Sequence, residues 1–142
     1  MNALKISLTG LDVEWRRLEV IAENLANANT SRTATGAPYR AMRLVSGPRT
    51  DFSRYLEGSA STQALSGVAV YGVEPVNTPP RRVYEPSHPH ADADGYVSYP
   101  ALDHAAEMTL MVKTARAYEA NIVAMNTARQ MYAKALELGR RA

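Results

Sequence analysis

The chain contains no cysteine, a single tryptophan and a single phenylalanine. Without cysteine there are no disulfides and no thiol catalysis, which fits the cytosol or a protein that crosses an oxidising compartment without pairing thiols. The net charge is only +2, and the basic residues form no single stripe. Trp15 and Phe52 offer no stacking platform, so nucleic acid is not expected as a partner. No uncharged apolar run approaches the roughly twenty residues that span a bilayer. Lys5, Asp12, Glu14, Arg16, Arg17 and Glu19 interrupt any hydrophobic region of a secretory signal, so export through a cleaved signal is not expected. Catalytic motifs are missing as well. There is no glycine-rich phosphate loop and no serine in a nucleophile elbow, and His104 beside Asp103 in a first helical turn makes a poor base. The sequence predicts neither an enzyme nor a cofactor.

What is present is helix. At 142 residues the chain is one domain by size. From Ala101 to Leu138 there is neither glycine nor proline, and Ala, Met, Leu, Glu, Lys and Arg dominate. Asp103 is the expected N-cap and Gly139 the expected C′ glycine, with Arg140 and Arg141 suited to the negative end of the dipole. Such a helix is roughly 55 Å long at ~1.5 Å per residue. A compact globule of this chain length is only about 37 Å across. The helix therefore overhangs its own domain, which implies an elongated protein covered at its ends by other molecules.

The first thirty residues carry the clearest periodicity. Leu4, Leu8, Leu11, Trp15, Leu18, Ala22 and Leu25 are spaced 4, 3, 4, 3, 4, 3, an a/d repeat over three heptads. This is either the packed face of a surface helix or one strand of a coiled coil. The matching stripe is Met108, Met111, Ala115, Tyr118, Ile122 and Met125, which slips phase and resumes at Ala128, Tyr132, Ala135 and Leu138. Between Glu119 and Arg129 no residue is charged, so this part of the helix is expected to be covered on most sides, by neighbours or by the middle segment. The fold class predicted is mainly α. Long N- and C-terminal helices (1–30 and 101–142) pair as an antiparallel coiled coil around an inserted segment (31–100) of loops and short strands. Asn24, Asn27 and Asn29 form the first helix exit. Strands are expected over Tyr39–Ser46, Val68–Val73, Arg82–Glu85 and Tyr96–Tyr99, with one helical turn over Asp51–Leu56. Residues 46–66 otherwise carry no readable signal.

One cluster resembles a metal site: His88, His90, Asp92 and Asp94, followed by Gly95. As a calcium loop it lacks the bidentate Glu at the last position, where Ala101 falls, and His90 stands at the first. As a zinc site it offers short carboxylates among prolines, a poor tetrahedral cage. The expected reading is a polar turn without metal, closed by Asp94–Gly95.

The run from Gly10-Leu11 through Arg17-Leu18-Glu19-Val20-Ile21-Ala22-Glu23-Asn24-Leu25-Ala26-Asn27-Ala28-Asn29-Thr30 resembles the N-terminal motif of the flagellar axial proteins. Pro38-Tyr39-Arg40, Val83-Tyr84-Glu85-Pro86-Ser87-His88-Pro89, Asp94-Gly95-Tyr96-Val97, Arg116-Ala117-Tyr118-Glu119-Ala120-Asn121 and Leu136-Glu137-Leu138-Gly139 resemble the proximal-rod members of that family. Departures are Ala101 after Pro100, where an Asn is usual, and Pro75-Val76-Asn77-Thr78-Pro79 in place of an acidic segment. The resemblance implies a structural subunit of a helical, hollow periplasmic drive shaft. Export would be by the flagellar type III apparatus, without a cleaved signal. Partners would be itself, other rod subunits, and the rod-base and MS-ring proteins, with no small-molecule substrate. The alternatives from the residues alone are a soluble helical adaptor, or a hydrolase using metal at the His/Asp loop.

Overall fold

The computed structural model describes residues 2–49 and 67–140. The expected turn at Asp51–Leu56 lies outside them. The chain forms α1 (Asn2–Ala26), β1 (Met42–Pro48), β2 (Val68–Pro75), β3 (Arg81–Tyr84), β4 (Tyr96–Tyr99) and α2 (His104–Gly139). It is mainly helical, with two small antiparallel two-stranded sheets between the helices, β1–β2 and β3–β4.

α2 starts where the sequence places it. The Asp103 carboxylate accepts a hydrogen bond from the Ala106 N–H at 3.1 Å, satisfying one orphan amide of the first turn. Its end differs from expectation. Gly139 is the last helical residue and has no positive φ; Arg140 follows in right-handed helical geometry. A left-handed C′ glycine is needed where the chain turns back on the helix, and α2 runs straight on here. The 36 residues of α2 make a rod of roughly 54 Å, against about 37 Å for the 25 of α1.

α1 closes at Asn27, whose side-chain amide donates to the Glu23 carbonyl at 3.0 Å while its Oδ1 accepts from the Thr30 hydroxyl at 3.1 Å. β1 begins at Met42, three residues later than predicted; the Tyr39 N–H donates instead to the Thr30 carbonyl at 3.1 Å and its hydroxyl to Asn24. It pairs with β2 from Met42↔Pro75 to Pro48↔Val68, with a register shift between Val45 and Ser46. β3 and β4 pair from Arg81↔Tyr99 to Tyr84↔Tyr96. Their connection is pinned at Gly95, which has φ +82° and lies so close to Tyr84 and Pro86 that a Cβ would stand 2.9 Å from the Tyr84 ring. Only glycine fits both conditions.

The core sits where α1 meets the first sheet. Val13 and Val20 pack with Leu44, flanked by Met42 and Val70. Two polar contacts hold the same face: the Arg17 guanidinium donates to Ser46 Oγ at 2.9 Å, and the Val68 N–H donates to Thr9 Oγ1 at 3.1 Å. In the second sheet Val97 is fully buried. That sheet is tied to the α1 exit by a 2.8 Å hydrogen bond between Ser31 Oγ and His90 Nδ1.

Candidate assembly surface

α1 and α2 touch between residues 10–24 and 107–121: Gly10 against Asn121, Trp15 against Tyr118 with ring centroids 6.1 Å apart, and Asn24 against Glu107. A Cβ on Gly10 would stand 2.9 Å from Asn121 Oδ1, so the glycine inside α1 marks a close helix–helix approach.

At the other end of this contact, Asn24 joins α1 to β1, α2 and the Tyr39 loop. It is 2 % exposed. Its Nδ2 donates to the Met42 carbonyl at 2.9 Å and reaches Glu107 Oε2 at 3.4 Å. Its Oδ1 accepts from the Met42 N–H at 2.8 Å and from the Tyr39 hydroxyl at 3.0 Å. The amide thus meets both backbone groups of the first residue of β1, as a neighbouring strand would. Burial, then the carboxylates of Glu23 and Glu107, raise the Tyr39 pKa above its ordinary value, so the hydroxyl stays protonated and donates.

The stripe predicted for α1 is split. Leu4, Leu11, Leu18 and Leu25 are half-buried, whereas Leu8, Trp15 and Ala22 are exposed. The buried arc runs instead through Val13, Val20, Ile21 and Asn24, about 150° round the helix from that stripe. The reason is that α1 serves two neighbours, and the face toward β1–β2 lies across the helix from the leucine stripe. On α2, Met111, Ala115, Tyr118, Ile122, Met125 and Ala128 are half-buried, Met108 is exposed, and the buried centre is Thr114. Within the charge-free window, Ala120, Val123, Ala124, Asn126 and Thr127 face outward.

From Arg129 to Arg140 every residue is exposed, Tyr132, Ala135 and Leu138 included. α1 is too short to reach them, so among the described residues they form no seam inside this chain. This overhang presents Met131 (68 % exposed) and Leu138 (70 %) beside Tyr132 and Leu136.

The remaining residues singled out by the sequence are structural in place. Leu25 and Asn27 are half-buried and Ala26 exposed at the α1 exit. Tyr84 stacks edge-on against Tyr96, with centroids 5.3 Å apart, and Arg82 lies over the Tyr96 ring. Pro86 and Pro89 are exposed. His88 accepts the His90 N–H at its Nδ1. Asp92 accepts the N–H groups of Tyr96 and Asp94 and pairs with Arg82. The Tyr96 amide, then Arg82 and the Asp94 amide, hold the Asp92 carboxyl below its usual range against some desolvation. His88 and Asp92 are thus engaged within the loop and His90 with Ser31, and among the described residues no group of three or more His, Asp or Glu is arranged to hold a metal ion. No described helix is long and apolar enough to cross a membrane.

Terminal helices in contact around a small β insert, with bare apolar surface at one end, define a class of protein built for assembly. The flagellar rod families match at both ends: "Flagella basal body rod protein" over residues 4–32 and "Flagellar basal body rod FlgEFG protein C-terminal" over residues 93–138. The flagellar basal-body rod protein FlgC of Salmonella typhimurium is 38 % identical over 139 residues, 98 % of this chain and 97 % of that protein. That of Bacillus subtilis is 36 % identical, covering 98 % and 97 %, and that of Borreliella burgdorferi 34 %, covering 96 % and 95 %. The chain belongs to the FlgC family of flagellar basal-body rod proteins, a structural family and not one of enzymes.

Proposed function

We propose that this chain is a structural subunit of the flagellar basal-body rod, joining helically with copies of itself and other rod subunits to form the shaft. In this reading α1 and α2 pair as an antiparallel coiled coil. The order of their contacts supports that, since Gly10, Trp15 and Asn24 meet Asn121, Tyr118 and Glu107 in turn. The helical ends (1–30 and 101–142) line the inner tube, and residues 31–100 face outward. Export by the flagellar type III apparatus, a periplasmic position, and contact with rod-base and MS-ring proteins complete the reading.

The observation that carries it is the overhang at 129–140, which no described part of the chain covers. The test is Met131→Lys with Leu138→Lys. Both side chains are exposed in the lone chain, so helicity is unchanged and the protein is still made and exported. In the rod each Lys loses its hydration, at a cost of several kcal/mol. The expected result is loss of rod incorporation and of swimming; normal swimming refutes the reading.

A further inference from the structure

We propose that the His88–His90 pair is a proton-sensitive latch. With His88 neutral it fixes the second sheet to the α1 exit through Ser31; with His88 protonated it releases that sheet. The inference does not depend on the rod-subunit reading.

The second sheet is a satellite of the body. Among the described residues no Cα of β3 or β4 comes within 8 Å of one in α1, α2, β1 or β2. Val97 is fully buried on its inner face, but apolar burial is non-directional and fixes no orientation. Direction comes from the 2.8 Å hydrogen bond between Ser31 Oγ and His90 Nδ1. Among the described residues it is the one hydrogen bond that joins residues 81–99 to the rest of the chain.

The place of His90 depends in turn on His88. The His90 N–H donates to His88 Nδ1 at 3.0 Å. A backbone N–H can only donate, so that Nδ1 is bare and the His88 proton sits on Nε2. A further proton can go only to Nδ1, where it meets the His90 N–H, and the bond becomes a clash of two donors. The two rings stand edge-on with centroids 5.2 Å apart, so a charge on one also disfavours a charge on the other. The backbone bonds from the His88 N–H to the Glu85 carbonyl and from the Ala91 N–H to the His88 carbonyl need no change. What moves is His90, and its ring carries the tie to Ser31. Histidine is the side chain that ordinarily changes charge between about pH 5 and 8, so the latch closes above that span and opens below it.

The neighbouring charged groups do not follow this proton. Tyr99 lies with its ring 6.3 Å from that of His88; its hydroxyl donates to Glu85, and Arg81 lies over its ring. Across the loop Asp92 pairs with Arg82, and the Tyr96 amide above all holds the Asp92 carboxyl below its usual range, so this pair stays charged while a histidine titrates. Asp94 near the loop end and Arg32 beside Ser31 are both exposed.

The chain has three histidines and no cysteine, so both the switch and its labels can be placed singly. Ala34→Cys and Ala93→Cys, at exposed positions on either side of the latch, carry spin labels in the full chain. Distances between the labels are measured at about pH 8 and about pH 5, with circular dichroism to follow the helices. The parent is expected to give a narrow distribution at the higher pH and a broad, longer one at the lower, with helicity unchanged. His88→Asn supplies an acceptor oxygen that does not titrate and stays narrow at both. Ser31→Ala is broad at both, and His104→Gln behaves as the parent. A parent distribution that ignores pH overturns the latch, as does broadening that comes only with loss of helix. Narrow distances in Ser31→Ala overturn it too, because the tie then holds nothing. If a labelled variant does not fold, or His88→Asn is broad at both pH values, nuclear magnetic resonance of the unaltered chain decides. The His90 amide shift moving with the His88 ring, at one midpoint, supports the latch; an amide that stays put while that ring titrates refutes it.

Discussion

Replacing Asn24 tests whether the junction of α1, β1 and α2 is held by one amide. In Asn24→Ala the Met42 N–H, the Met42 carbonyl and the Tyr39 hydroxyl each lose a partner. A buried polar group left unsatisfied costs about 1–3 kcal/mol. Met42 and Tyr39 are only half-buried, so water reaches part of the vacated site, and the lower end applies: about 3 kcal/mol in all. For a domain of this size that is a fall in melting temperature of roughly 10 °C. Asn24→Asp is nearly isosteric and more informative. An oxygen replaces Nδ2 and faces the Met42 carbonyl and the Glu107 carboxylate, both of which that nitrogen now serves. Two like charges 4 Å apart repel by about 4 kcal/mol at an effective dielectric near 20, and the new carboxyl avoids this by holding its proton.

The sign follows directly. The introduced Asp has a folded pKa above its unfolded value of about 3.9. Its variant is therefore most stable below that value and loses stability as pH rises through the raised folded pKa. Urea unfolding followed by far-ultraviolet circular dichroism, with Trp15 emission as a second probe, should show three things. Asn24→Ala is destabilised, Asn24→Asp is worse at pH 7, and adding Glu107→Gln recovers part of the loss. A change below about 0.5 kcal/mol for Asn24→Ala, or an Asn24→Asp no worse than Ala, would refute the reasoning.

Three further outcomes are expected. Gly10→Leu forces α1 away from Asn121 and lowers stability by about 1–3 kcal/mol, and Asn121→Ala restores part of it in a double-mutant cycle; additive effects would mean the helices do not touch there. The lowered Asp92 pKa means its contribution is present above the unfolded value of about 3.9 and is lost as pH falls through the folded value. Protection of the Tyr96 amide, taken relative to its intrinsic exchange rate, should therefore fall only below about pH 4, and Asp92→Asn should flatten that dependence. Val123→Lys, at a side chain 64 % exposed, should block incorporation into the rod without changing helicity, whereas Ile122→Lys and Met125→Lys, at half-buried positions, should lower helicity as well. Normal swimming with Val123→Lys would mean that this face stays wet in the rod.

Much of the backbone was legible because its signals are local. Asp103 before a long run of helix formers marks a helix start, and Asp94–Gly95 marks a turn whose glycine is required by φ and by Tyr84. The facing of the helices was not legible. α1 carries a second stripe, Ile6, Val13, Arg17, Val20 and Asn24, and two of its five members are polar. A count of apolar residues discards it in favour of the leucines, although it is the stripe that meets the first sheet. The Asn24 partners are a tertiary fact: nothing near Asn24 in sequence announces that its amide will pair with the backbone of Met42. Gly139 misled for the opposite reason, since a terminal glycine signals a left-handed cap only if the chain turns back there.

The structure is uneven in a way that a single measurement can expose. Its fixed points are at one end of the helix pair: Asn24 with Tyr39, Met42 and Glu107, and the Val13, Val20 and Leu44 core. The other end is bare. Ordering a residue costs about 1–2 kcal/mol of backbone entropy, and burial of a large apolar side chain returns roughly 1.5–3 kcal/mol only if water is removed from it. In the overhang that return is missing, since each side chain from Arg129 to Arg140 is exposed. The segment extends an existing helix, so it escapes the nucleation cost, yet it propagates only on its own propensity. In a dilute monomer, amide exchange along α2 should therefore be slow near Thr114, rise through Val123 and be fast beyond Arg129. On incorporation into a rod the gradient should flatten as neighbours cover Tyr132, Leu136 and Leu138. Uniformly slow exchange to the end of α2 in the monomer would show that the overhang needs no partner, and the assembly argument would lose its physical basis.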